Sequence, residues 1–439
     1  MRILKFGGTS VGSPENIERV GDIVRGQAAK HDVVVVVSAH SGVTDTLLDL
    51  AKRAARGRYG LAALKKRHRD LYTAIGVDPG IVAALFSELD DILRGLTLVR
   101  ELTPRTQDLV LSFGERISAR GVAAYLECTG VAAHAVDAPA AGLRTDSRFG
   151  AAHPDTRCFG ALRKNLSTKG SIPVVTGFIG KDKNNDVTTL GRSGSDFTAT
   201  LIGAALRAEE VQIWTDVDGV MTADPRVVKD ARSIPLLSIA EASELAYYGA
   251  RVIHPATMLP AVENSIPVLV RNTSRPKSRG TMILAETPSS RRAVKSIASK
   301  RGTILITVAS TRMLLQSGFM AKIFEVFARH ELSVDLVATS EVTVSVTVDS
   351  DRNLKAVEKE LGAFSDVKVD RNLAQVCVVG DGVRESVGAV AEVFGALRKA
   401  RVPVRLISHG GTKINISFLV EEAAVEKAVR ALHRTFFGE

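Results

Sequence analysis

Cysteine is scarce in this chain: three residues, Cys128, Cys158 and Cys377, among 439. They lie far apart and in no metal-type spacing, which excludes a disulfide scaffold and leaves small apolar residues kept reduced. Aromatic residues make up only 5%, and none interleaves the densest basic run, Lys65-Lys66-Arg67-His68-Arg69. That run therefore reads as a solvated helix face and not as a nucleic-acid footprint. No apolar run reaches the length that crosses a bilayer. Acidic excess is also missing: 58 Lys and Arg stand against 48 Asp and Glu, a net charge of +10 spread along the chain. Such a surplus suits a protein that attracts small anions. Met1-Arg2 is followed at once by strand-like Ile3-Leu4 and then glycines, so no secretory leader is expected and a cytoplasmic location is.

The hydrophobic pattern of the first part alternates strand and helix. Ile3 to Phe6 reads as a short strand ending in Gly7-Gly8, and Ile17, Val20, Ile23 and Val24 form one helix face. Val33 to Val37 is an unbroken β-branched run, expected to be a strand buried on both sides. Further strands read at 172–176, 211–215 and 267–270, with helices between them. The expectation is an α/β domain, a mostly parallel sheet with helices on both faces, and ligands beyond the carboxyl ends of its strands. Polar stretches at Asn272 to Gly280 and Glu286 to Arg292 bracket a domain boundary, giving a first domain over 1–285.

The remainder contains a gapless internal repeat at an offset of 70 residues. Ala321-Lys322-Ile323-Phe324 matches Ala391-Glu392-Val393-Phe394, Leu336-Val337 matches Leu406-Ile407, and Val344, Val346 and Val348 match Ile414, Ile416 and Phe418. Each copy reads as helix, strand, turn, strand and second helix, which fits a pair of βαββαβ modules.

Three segments carry chemistry. Lys5-Phe6-Gly7-Gly8-Thr9-Ser10 ends a strand and opens a helix. Its paired glycines allow backbone N–H groups to approach an anion, and Lys5 adds a positive charge. It is neither a Walker A loop nor a G-x-G-x-x-G fingerprint. Thr188 to Asp196 is Gly- and Ser-rich and contains Arg192, a residue suited to gripping a carboxylate with two parallel hydrogen bonds. Asp196 or Ser195 could alternatively cap the helix that follows. Trp214-Thr215-Asp216-Val217-Asp218-Gly219 and Asp224-Pro225-Arg226 read either as ordinary turns or as a nucleotide pocket. Glu115 and His254 earn no role by themselves.

Together these residues, with Ser112-Phe113-Gly114-Glu115 and His254-Pro255-Ala256-Thr257 in the same order, resemble the aspartate kinases, a branch of the amino acid kinase family. The resemblance implies an αβα sandwich with the amino acid kinase fold, followed by two ACT (ferredoxin-like) modules. One module would span 310–373 and be inserted into a discontinuous second one, 294–309 with 374–439. It implies that Lys5 and Asp196 are catalytic and that Lys5, Gly7, Gly8, Thr9 and Ser10 surround the phosphates. Thr44, Glu115, Arg192, Ser195 and Asp196 would hold aspartate. Thr215, Asp216, Met221, Arg226, Arg251 and Val252 would line the ATP site, with Mg²⁺ accompanying ATP and its protein ligand left open. Ser193 stands where many members have Gly, and is expected to be tolerated at negative φ. Met221 replaces a frequent Tyr and Arg251 a frequent Lys.

Met313, Phe319, Met320, Asp335, Thr339, Ser340 and Glu341 resemble the segment that binds lysine in lysine-inhibited members, with Asp335 taking the effector's ammonium and threonine as the alternative effector. A homodimer or homotetramer through the ACT modules is expected, without nucleic-acid or membrane partners. Two rival readings stay open: another amino acid kinase, acting on glutamate, acetylglutamate or UMP, and an inactive amino-acid-sensing regulator. No dinucleotide-binding unit follows the repeat, so a fused dehydrogenase is not expected.

Overall fold

The computed structural model describes residues 1–248, 254–288, 293–310, 317–383, 386–409 and 414–438. The chain forms two compact units. The first comprises 1–220, 235–239 and 252–287; the second comprises 221–234, 240–251 and 288–439. The expected boundary near 285 is therefore joined by two earlier excursions of the chain into the second unit.

The first unit is built on strands β1 (Arg2–Phe6), β2 (Val33–Val37), β3 (Ala133–Val136) and β4 (Ile172–Thr176), a hairpin of β5 (Ile179–Lys181) and β6 (Val187–Thr189), and then β7 (Glu210–Thr215), β8 (Leu236–Ser238), β9 (Val268–Asn272) and β10 (Thr281–Leu284). All but the hairpin join one sheet in the order β3-β4-β2-β1-β7-β9-β10-β8. Every pairing in it is parallel except β9 with β10. The five valines of β2 are all buried, because helices cover both faces of the sheet and leave no polar side to alternate with. Helix Pro14–Ala28 starts on a Ser13 cap and Pro14 and buries Ile17, Val20, Ile23 and Val24, the face read from the sequence. Helix Pro104–Cys128 is capped by Thr103 and runs for 25 residues through the core, carrying Asp108, Ser112 and Glu115 inward among its apolar residues.

The strand order brings the carboxyl ends of β1, β2, β4 and β7 together, so the loops after them gather at one end of the sheet. Helix Gly194–Leu206 is tied there as well: Phe178 N donates to Thr198 Oγ1 at 3.0 Å, and that hydroxyl donates to Gly194 O at 2.9 Å.

The second unit carries a six-stranded antiparallel sheet, with strands β11 (Ser296–Ala309), β12 (Val337–Thr339), β13 (Thr343–Val348), β14 (Asp366–Val379), β15 (Leu406–Ser408) and β16 (Asn415–Glu421) in the order β12-β13-β11-β14-β16-β15. The long strands β11 and β14 each serve two groups. Residues 304–309 of β11 pair with β13, whereas 373–379 of β14 pair with β16. The change of partner coincides with a register shift at Gly302, whose φ of +75° lets the strand bend. Helices Phe319–Arg329 and Leu354–Gly362 cover one four-strand group, and Ala389–Lys399 and Val425–Phe437 the other, each over its own apolar cluster. Two βαββαβ groups thus follow the 70-residue repeat.

Candidate active site

Lys5 is the fourth residue of β1, flanked by β2 and β7. Its ammonium lies 2.6 Å from Asp196 Oδ1 in the first turn of helix Gly194–Leu206, and both side chains are buried. Residues 191 apart in sequence thus share one buried ion pair, on an element order that needed the central position of β1.

The loop after β1 is partly self-satisfied. Gly7 N donates to Trp214 O at 3.1 Å, and Ser10 N and Val11 N donate back to Gly7 O. Ser10 Oγ donates to Trp214 O at 3.3 Å and lies 2.7 Å from Thr273 Oγ1, so Ser10 braces the loop from beneath. Among the described residues, the N–H groups of Gly8 and Thr9 have no protein acceptor. N–H groups left open in this way suit an anion, as does the nearby Lys5 ammonium. Gly8 is required sterically, since a Cβ there would stand 2.8 Å from Ala39 O.

The loop after β2 is held against it: Ser41 N donates to Gly8 O at 3.0 Å, and the buried His40 donates from Nδ1 to Val11 O at 2.5 Å. Burial pushes the His40 imidazole down to about 3, so it is a neutral brace. Thr44 is half-buried in the first turn of helix Val43–Ala54. Glu115 reaches the same place from helix Pro104–Cys128. Its carboxyl is 3% exposed and accepts from Ala39 N, and its Oε2 has no partner among the described residues. Burial raises its pKa to about 8, against the opposing pull of the Ala39 N–H and the Lys5 charge.

Ser195 is buried beside Asp196, and Arg192 is exposed on the loop before them. Ser193 departs from expectation. Its φ is +56°, in the left-handed region, because the chain must turn sharply between Arg192 and the helix.

Thr215 and Asp216 follow β7, with Thr215 Oγ1 donating to Asp216 Oδ1 at 3.1 Å. Asp216 is exposed, whereas Asp218 is engaged by Asn272 Nδ2 at 2.7 Å and by Arg275. Met221 and Arg226 belong to the second unit. There Arg226 is exposed and folds onto Asp224, with Nη2 2.7 Å from Oδ2, so the turn reading describes its conformation. Arg251 and Val252 lie outside the described residues.

Of the effector residues, Met313 lies outside the described residues. Phe319 is buried and Met320 exposed at the start of their helix. Thr339, Ser340 and Glu341 are exposed at the β12–β13 turn, where Ser340 N donates to Thr343 O at 2.9 Å. Asp335 is already faced by a cation: Lys300 Nζ lies 3.5 Å from its Oδ2, 2.9 Å from Asp349 Oδ2, and 4.5 Å above the Tyr247 ring.

Sequence reading passed over Asp108, two helical turns before Glu115. It is fully buried, and it accepts from Thr189 N at 2.8 Å, Thr189 Oγ1 at 2.9 Å and Gly150 N at 2.9 Å. The available signal was an Asp at a core position of a long apolar helix.

A buried Lys–Asp pair beside a glycine loop with open N–H groups, at the carboxyl end of a parallel sheet, is an α/β arrangement suited to phosphate. The model of the amino acid kinase family matches residues 1–272, and an ACT domain model matches 306–359 and 376–436. Over 99% of its length the chain is 39% identical to aspartokinase 1, chloroplastic, of Arabidopsis thaliana, covering 80% of that protein. It is 35% identical to the lysine-sensitive aspartokinase 3 of Escherichia coli, with 99% of each chain covered. Solved structures of E. coli aspartokinase III superpose over the whole chain at 34% identity. The TM-score is 0.79 for its complex with aspartate and ADP, covering 100% of that chain, and 0.80 for its complex with lysine and aspartate, covering 99%. The chain belongs to the amino acid kinase family, in its aspartokinase branch.

Proposed function

We propose that the chain transfers the γ-phosphoryl group of ATP to the β-carboxylate of L-aspartate, giving ADP and 4-phospho-L-aspartate, the entry step to lysine, threonine and methionine. The observation that carries this is the buried Lys5–Asp196 pair at 2.6 Å beneath the free Gly8 and Thr9 N–H groups. The acceptor carboxylate is ionised near neutral pH, so no base is needed. One of its oxygens attacks the γ-phosphorus in line as the bond to the β–γ bridging oxygen breaks, and the electron pair leaves with ADP. Catalysis is then positioning plus charge stabilisation. Lys5 follows the charge on the transferring group, and Asp196 keeps that ammonium aimed.

Arg192 grips the α-carboxylate, while Glu115, Ser195, Asp196 and Thr44 orient the amino end. Thr215 and Asp216 line the nucleotide side. Mg²⁺ would accompany ATP and supply positive charge against its phosphates.

Residues 1–285 form the catalytic domain in this reading, and the two ACT modules are interleaved, one inserted into the other. The exchange of strand partners at Gly302 supports a module boundary inside β11, earlier than residue 309. The modules carry feedback inhibition by lysine, whose ammonium competes with Lys300 for Asp335, and they assemble the chain into a dimer or tetramer in the cytoplasm. No helix among the described residues is long and apolar enough to cross a membrane.

The test is hydroxamate formation from aspartate and ATP by wild type and Lys5→Ala, with and without lysine and threonine. Lys5→Ala should lower kcat by about 10²- to 10³-fold with aspartate KM changed only a few-fold. Full activity in Lys5→Ala would overturn the role of Lys5. Turnover of glutamate or UMP in place of aspartate would overturn the substrate.

A further inference from the structure

Arg192 is well suited to a substrate carboxylate, yet it sits exposed on a loop, and a loop by itself holds a guanidinium poorly. The two residues before it lead back to the edge of a short hairpin strand, β6. What fixes that strand end is Asp108. Its Oδ2 takes the backbone N–H groups of Thr189 and Gly150, and its Oδ1 takes the Thr189 hydroxyl. One carboxylate thereby joins two loop segments that are 39 residues apart in sequence.

The same junction is closed from two other sides. Ala152 N donates to Thr189 O at 2.9 Å. Gly191, at φ +73°, brings its bare Cα so near Gly150 that a Cβ would stand 3.1 Å from the Gly150 carbonyl oxygen. Arg192 is the next residue. Asp108 is fully buried, and among the described residues no Lys, Arg or His pairs with it. Among the described residues, three donors compensate its charge, which makes the arrangement specific for an acceptor at this position.

Asp108 and Glu115 sit seven residues apart on helix Pro104–Cys128, two turns along one face. Glu115 is directed at the amine end of the proposed substrate, and Asp108 at the loop that grips its α-carboxylate.

We infer that Asp108 is the positioning residue of the α-carboxylate subsite: by clamping Thr189 and Gly150 it sets where Arg192 stands relative to Glu115 on the same helix. The inference rests on the aspartate reading above. Asp108 touches no substrate and acts only through the loop.

The experiment compares wild type, Asp108→Asn and Thr189→Val. Asparagine keeps the volume but turns an amide N–H₂ toward one of the donors; valine removes the hydroxyl donor alone. Steady-state constants are measured for aspartate and ATP. The inhibition constant is measured for β-alanine, which is aspartate without its α-carboxylate. Thermal unfolding is recorded for each variant. Asp108→Asn should raise the aspartate KM by about 10- to 100-fold, leave the ATP KM within about twofold and leave the β-alanine inhibition constant within about twofold of wild type. Thr189→Val should shift the same constant in the same direction by less. The inference is overturned if aspartate and β-alanine weaken together, if the ATP KM rises equally, or if the melting temperature falls while every KM is unchanged. A wild-type protein that does not turn over aspartate would refute the parent reading instead, independently of what Asp108 does.

Discussion

Glu115 offers the sharpest physical test, because its burial would tie the proposed aspartate binding to pH. Its carboxyl is 3% exposed, one oxygen has no partner among the described residues, and burial raises its pKa from 4.5 to about 8. At pH 7 in the empty site, only roughly one carboxyl in ten is then ionised. An ammonium docking against it favours the ionised form, so aspartate binding should release a proton from Glu115. The sign follows directly: the apparent KM for aspartate should fall as pH rises from 6 to 8, by up to about tenfold per pH unit. The fall should level off above about 8. Stability moves the other way. The folded state holds the proton more tightly than the unfolded chain between pH 4.5 and 8, so Glu115 makes the protein less stable as pH rises through that window. The full shift corresponds to roughly 5 kcal/mol at 1.36 kcal/mol per pH unit. Glu115→Gln should remove both dependences, leaving a weak and pH-flat aspartate KM and a gentler decline of melting temperature with pH. The assays are initial rates across pH and titration calorimetry in two buffers of different ionisation enthalpy, which reports proton release. A flat wild-type KM between pH 6 and 8, or the same slope in Glu115→Gln, would refute the reasoning.

Three other substitutions test separate parts of the structure. Ser193 holds φ at +56°, a conformation that costs a non-glycine residue about 1 kcal/mol, so Ser193→Gly should raise stability by about that amount in denaturant titration. Lys300 and an incoming lysine compete for Asp335 in the proposed effector site, so Lys300→Met should make lysine inhibit at lower concentration, whereas Asp335→Asn should raise the half-inhibitory concentration by about tenfold or more. Shifts in the same direction would remove that competition from the account.

The proposed aspartate site was legible in pieces. The loop after β1 advertised an anion site through its glycines, and Arg192 stood out because a cap-only reading of its segment left it unexplained. Yet nothing in the sequence said that Gly7 and Ser10 are spent on Trp214 while Gly8 and Thr9 stay open. That division comes from β7 lying beside β1, a neighbour 204 residues away from Ser10. The partners of Asp108 were invisible for a related reason: its three donors come from a hairpin strand and a loop that meet it only when the chain is folded. The left-handed Ser193 likewise reflects where the helix must start, a constraint imposed by packing and not by local preference.

The sequence by itself determined the alternation of strands and helices, the doubly buried β2, the repeat that builds two βαββαβ groups, and the chemical kinds of group available for phosphate and carboxylate. These follow from periodicity and side-chain chemistry, which are local. Only the tertiary structure decided that Lys5 and Asp196 form one buried pair, that Glu115 loses enough water to hold its proton near neutral pH, and that Asp335 already faces Lys300. Those depend on desolvation and on distances between remote segments, and both come into being only when the parallel sheet and the antiparallel sheet are each assembled.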